Sequence, residues 1–130
     1  MKLLIHFGIY KAGSSYLQHI CASKRDYLIA NNIYFPASKE DEKMKEGLIS
    51  KGNADGLDSA FKKEDLSKIS KILQQWYNIA ESKNCNVVLI SAEALVHQLA
   101  GQHKLNLIVN SANSIGYTEI KAMGFFRDLA

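Results

Sequence analysis

The stretch that most limits what this chain can fold into is Gly8-Ile9-Tyr10-Lys11-Ala12-Gly13-Ser14-Ser15. It is set between an apolar run, Leu3-Leu4-Ile5-His6-Phe7, and a segment of helical spacing that begins near Ser14. A strand, a glycine-bearing turn and a helix in immediate succession make an anion cradle. Glycine lets backbone N–H groups approach an anion closely, and the positive end of the following helix favours negative charge at the same place. Ser14 and Ser15 add hydroxyl donors.

The loop departs from the triphosphate-binding pattern G-x-x-x-x-G-K-[ST] in an informative way. Gly8, Gly13 and Ser15 fit it, but Ser14 stands where the lysine belongs and the lysine sits at the crown, as Lys11. Holding a triphosphate with magnesium relies on that later lysine and on a hydroxyl ligand to the metal. The loop therefore reads as built for a different anion. A nucleotide or small-molecule kinase would also need an acidic metal ligand after a core strand, for which Glu93 is the nearby residue. The plain alternative for a glycine pattern taken alone is a turn with a surface lysine.

At 130 residues and 47% hydrophobic content the chain suits one core, so a single domain over residues 1–130 is expected. A net charge of +3 and a pI near 8.8, with lysines spread along the chain, suit anionic small ligands and argue against nucleic acid. Cys21 and Cys85 lie far apart without a partner motif, so no metal site or disulfide is expected and both read as buried small hydrophobes. The apolar N-terminal run is broken by Lys11, too early for a signal peptide or a membrane span, and a cytoplasmic setting is expected.

Along the chain, Leu17, Ile20, Cys21, Tyr27 and Leu28 recur at helical spacing from Ser14 to about Ala30. Asn31-Asn32 ends that helix, and Ile33-Tyr34-Phe35-Pro36 reads as a short extended segment. Residues 37–63 are polar and read as the least structured third, a flexible insertion in which Lys39-Glu40-Asp41-Glu42-Lys43 is solvated and Gly52-Asn53 is a turn. A helix follows from Lys63 to about Lys83, with Leu66, Ile69, Ile72, Leu73, Trp76 and Ile79 on one face. Val87-Val88-Leu89-Ile90 has the continuous apolar character of a strand buried on both faces.

The order strand, helix, strand implies a parallel α/β sheet. Ser91-Ala92-Glu93 then falls at a strand's carboxyl end, where such sheets place ligands. Ser91 as the N-cap of a next helix, with Glu93 in its first turn, is an equally physical reading. Leu95 to Gln98 continues that helix, Lys104 to Ile115 forms another capped by Gly116, and Tyr117 to Phe126 reads as a third core strand ending in Arg127-Asp128. His6 reads as structural on a buried strand, and His19, His97 and His103 gain no role.

The passage His6-Phe7-Gly8-Ile9-Tyr10-Lys11-Ala12-Gly13-Ser14-Ser15-Tyr16-Leu17-Gln18 resembles the sulfotransferases, in particular bacterial members related to carbohydrate sulfotransferases, whose loop runs H-x-G-x-x-K-[TA]-G-[TS]-[TS]-x-L-Q. Arg25-x-x-Leu28 with Asn32-Ile33-Tyr34-Phe35-Pro36 is similar to the family's "R-x-x-L…G-I-x-Y-P" passage, Ser91-Ala92-Glu93 to its "S-x-E" element, and Gly52-Asn53 to a "G-N" element.

The resemblance implies a three-layer, P-loop-like parallel sheet flanked by helices. It also implies transfer of a sulfuryl group from 3′-phosphoadenosine 5′-phosphosulfate to a hydroxyl or amine, such as one on a glycan, without a metal. It places Lys11 on the phosphate and bridging oxygen, and Ala12, Gly13, Ser14, Ser15 and Tyr16 in the donor cradle. Ser91 and Glu93 would face the sulfuryl group, with Glu93 accepting the acceptor's proton, and Arg127 would hold the 3′-phosphate as a bidentate fork. The match covers the amino-terminal half of such a domain, because the rest of the 3′-phosphate site and the acceptor side would follow Ala130. An incomplete sulfotransferase domain is thus expected, with a homodimer as one way to cover its open sheet edge. A non-catalytic adenosine-phosphate-binding or interaction module is the other reading such a half-domain allows.

Overall fold

The computed structural model describes residues 1–7, 14–92, 95 and 102–124. The apolar runs form parallel strands: β1 (Lys2–Phe7), β2 (Ile33–Tyr34), β3 (Val87–Ser91) and β4 (Glu119–Gly124), in the spatial order β2-β3-β1-β4. Parallel neighbours cannot be joined by tight turns, so the chain crosses over through helices. These are α1 (Ser14–Ser23), α2 (Arg25–Ala30), α3 (Asp41–Lys45), α4 (Asp55–Lys62), α5 (Leu66–Ser82) and α6 (Gln102–Ile115).

Side chains alternate across a strand, and the register turns that alternation into two cores. Leu3 pairs with Val88 and Ile5 with Ile90, and these four lie in the larger cluster with Leu57 and Phe61 of α4, Ile69, Leu73 and Trp76 of α5 and Ile108 and Ala112 of α6. Leu4 pairs with Leu89, and this pair faces the smaller cluster, with Cys21 and Ala22 of α1, Phe35 just after β2, and Met44 of α3. The sheet therefore has helices on both faces. Burial raises the pKa of both thiols, against the opposing pull of Arg25 on Cys21 and of Lys83 on Cys85.

The expected single helix from Ser14 to Ala30 is two helices broken at Lys24, whose φ of −116° and ψ of 35° leave the helical region. Arg25 stabilises the break. Its guanidinium donates to the Ala22 carbonyl at the end of α1, to the Phe35 and Pro36 carbonyls and, at 2.8 Å, to Asp41, while stacking 5.2 Å from the Phe35 ring. Of the residues at that helical spacing, Ile20 and Tyr27 are exposed.

Residues 37–63, expected to be the least structured third, contain α3 and α4. Ala54, Leu57, Ala60 and Phe61 recur at helical spacing and are fully buried, each of the larger two contributing about 1.5–3 kcal/mol. Neither is Lys39–Lys43 simply solvated, since Glu40 is buried and Asp41 pairs with Arg25.

The third core strand expected over Tyr117–Phe126 is β4, paired with β1 on one side. Among the described residues it is an edge, with Lys121 and Ala122 exposed and the rest of the strand half-buried. Tyr117, just before it, is the buried anchor: its hydroxyl donates to the Leu73 carbonyl at 2.8 Å and its ring meets Tyr77 edge-on. The helix expected over Lys104–Ile115 is α6, followed by Gly116 at a φ of +125°. Among the described residues no helix is long and apolar enough to cross a membrane.

Candidate functional site

The site is founded on the carboxyl edge of the sheet. His6 is in register with Ser91 on one side and Met123 on the other, and Phe7 with Gly124, so β1, β3 and β4 end together. With β1 between β3 and β4, this is where the strand order reverses, the position at which open parallel sheets take ligands. Of the residues singled out in the sequence, Lys11, Ala12, Gly13, Glu93 and Arg127 lie outside the described residues. Ser14 and Ser15 open the backbone of α1, and Tyr16 in its first turn is 70% exposed. Ser91 ends β3 and is 1% exposed.

Around Ser91 the described residues build a buried polar network on the α1 face of the sheet. Its hydroxyl lies 2.8 Å from His6 Nδ1 and accepts from Gln18 Nε2 at 3.0 Å. Gln18 Oε1 accepts from the Ser50 hydroxyl at 2.9 Å, and Ser50 Oγ accepts from the Gly52 N–H at 3.0 Å. His6, Gln18 and Ser91 are essentially excluded from solvent. Burying polar groups costs free energy unless they are hydrogen-bonded, and the sequence supplies complementary donors and acceptors from distant positions. Desolvation also lowers the pKa of His6, so its imidazole is neutral at physiological pH.

A second bracket holds the 50–53 segment against β3. Beyond Tyr34, β2 no longer pairs with β3, and Asn53 takes over the exposed backbone. Its N–H donates to the Ser91 carbonyl at 2.9 Å, its Oδ1 accepts from the Ser91 N–H at 2.7 Å, and its Nδ2 reaches the Leu89 and Pro36 carbonyls, both at 3.2 Å. Gly52 makes this approach possible. It sits at a φ of +83°, and a Cβ there would fall 1.8 Å from the Ser91 carbonyl oxygen.

The structure thus brings Ser91 together with Gln18, the last residue of the glycine-loop passage, and with Gly52-Asn53, which the sequence shows as an ordinary turn. Ser91 Oγ is engaged inside the network and Ser91 N–H by Asn53. Gln18 and Ser50 gained no role from the sequence. Their only signal was that Gln18 closes the loop passage and that Ser50 precedes Gly52-Asn53 by two positions. Chemically, the arrangement is a rigid neutral base for the carboxyl edge: it fixes the end of β3 and the first turns of α1 relative to β1 and presents no buried charge among its members. No protein-family model, no curated protein and no solved structure matches the chain.

Proposed function

We propose that the chain binds 3′-phosphoadenosine 5′-phosphosulfate at the carboxyl edge of its sheet and belongs to the sulfuryl-transfer machinery of a sulfotransferase. The observation that carries this reading is that β1 lies between β3 and β4 and all three end at one edge, so that Gly8–Ser15, Ser91–Glu93 and the segment leading to Arg127 each follow one of those ends in sequence. α1 begins at Ser14, after the loop that follows β1, and the positive end of a helix favours an anion. In the reaction the acceptor oxygen forms a bond to sulfur as the bond from sulfur to the bridging phosphate oxygen breaks, the acceptor proton passes to the Glu93 carboxylate, and 3′-phosphoadenosine 5′-phosphate leaves. Lys11 stabilises charge developing on the bridging oxygen, and Arg127 holds the 3′-phosphate.

Calorimetric titration of 3′-phosphoadenosine 5′-phosphate, without magnesium, tests the donor site. The expected result is binding that weakens about tenfold to a hundredfold in Lys11→Ala and in Arg127→Ala, the loss of one charge-assisted contact each. No binding by the parent chain, or binding of a nucleoside triphosphate that requires magnesium instead, overturns the reading.

A further inference from the structure

The hydrogen bonds around Ser91 run in one direction. The Gly52 N–H can only donate, so Ser50 Oγ accepts from it, and the single Ser50 proton is donated to Gln18 Oε1. The Gln18 amide is thereby oriented, with Nε2 toward Ser91, to whose oxygen it donates. Ser91 has one proton left to place, and His6 Nδ1, at 2.8 Å, is the acceptor the described residues offer it. Were His6 to donate from Nδ1 instead, the described residues would offer the Ser91 proton no acceptor at a position 1% exposed, which is the costly arrangement.

We propose that Gln18 is a positioning residue whose amide, oriented by Ser50, sets the polarity of this chain and holds His6 as the neutral imidazole with its proton on Nε2. His6 is the penultimate residue of β1, immediately ahead of the glycine passage. Its tautomer decides which ring nitrogen offers a donor beneath the carboxyl edge. The link to catalysis rests on the donor-binding reading above, but the tautomer itself does not.

The test is nitrogen-detected NMR of protein labelled with ¹⁵N-histidine, without nucleotide. The expected spectrum assigns His6 a protonated Nε2 and an unprotonated Nδ1. Ser50→Ala releases the Gln18 amide to turn over, and a second, Nδ1-protonated form of His6 becomes visible. Gln18→Glu, read at about pH 10 so that even a buried carboxyl is ionised, offers acceptors only. Ser91 must then donate to the carboxylate, and the His6 proton moves wholly to Nδ1. A parent protein with the proton on Nδ1, or a Ser50→Ala spectrum unchanged from the parent, overturns the proposal. So does a folded Gln18→Glu protein that keeps the parent tautomer. If that variant does not fold, the parent and Ser50→Ala spectra decide alone. Titrating 3′-phosphoadenosine 5′-phosphate into the same samples separates the two ideas: the assigned tautomer without binding leaves this inference standing and removes the donor site, and binding with the wrong tautomer does the reverse.

Discussion

Gly52→Ala is the substitution that most directly measures how closely the 50–53 segment is pressed against β3. The added methyl would lie 1.8 Å from the Ser91 carbonyl oxygen, 2.7 Å from its carbon and 3.1 Å from the Ala92 Cα, all backbone atoms of or beside a central strand. Relief to an ordinary contact, at 3.4 Å or more, requires the segment to retreat by about 1.6 Å. That motion takes the 2.9 Å bond from Asn53 N–H to the Ser91 carbonyl and the 2.7 Å bond from Ser91 N–H to Asn53 Oδ1 beyond hydrogen-bond range.

Each buried group left without a partner costs about 1–3 kcal/mol, and the positive φ adds about 1–2 kcal/mol for a residue with a Cβ. We therefore expect a loss of about 5 kcal/mol, comparable to the whole stability of many domains, which is about 5–15 kcal/mol. Gly47→Ala is the internal control. It shares the positive φ, at +74°, but its nearest contact is His19 Nδ1 at 4.0 Å, so it carries the strain term of about 1–2 kcal/mol alone. Urea unfolding of both variants, at constant m-value, reads the difference. Equal losses for the two substitutions would refute the close approach and with it the Asn53 bracket.

Other consequences are as direct. Arg25→Lys keeps the charge but cannot reach the Ala22, Phe35 and Pro36 carbonyls and Asp41 together, and we expect a loss of about 1–3 kcal/mol in urea unfolding; an unchanged midpoint would remove the guanidinium's role at the break between α1 and α2. Tyr117→Phe removes the hydroxyl's bond to the Leu73 carbonyl, which lies inside α5 and keeps its helical donor, so the expected cost is that of one hydrogen bond, about 1 kcal/mol, with the β4 end of the sheet losing amide-exchange protection. Because burial lowers the His6 pKa from its ordinary 6.5, the unfolded chain binds its proton first as pH falls. Stability is then full above about pH 6.5 and lost as pH falls through the lower folded value. Unfolding followed over that range should show this slope in the parent and less of it in His6→Gln, and identical slopes would refute it.

Local chemistry was sufficient for much of the framework. Apolar runs at 3–7 and 87–90 specify β1 and β3, because continuous hydrophobicity over a strand's length suits burial on both faces, and the spacing of Ile69, Leu73 and Trp76 specifies α5. The helical spacing of Ala54, Leu57 and Phe61 was equally present, but hidden among charges at Asp55, Asp58 and Lys62, of which Asp58 is itself buried and pairs with Lys62. What the sequence determined by itself is therefore the parallel α/β plan and the strand ends at which an anion-binding loop would begin.

Only the tertiary structure decided the order β2-β3-β1-β4, the break at Lys24 and the polar network. The reason is physical. A periodic apolar pattern reports burial within a few residues, whereas Ser91 meets His6 across 85 positions, Gln18 across 73 and Asn53 across 38. A hydrogen bond leaves no periodic trace in the sequence. Its partners are chosen by which donors and acceptors the packed sheet and helices leave buried together, and that selection exists only once the chain has folded.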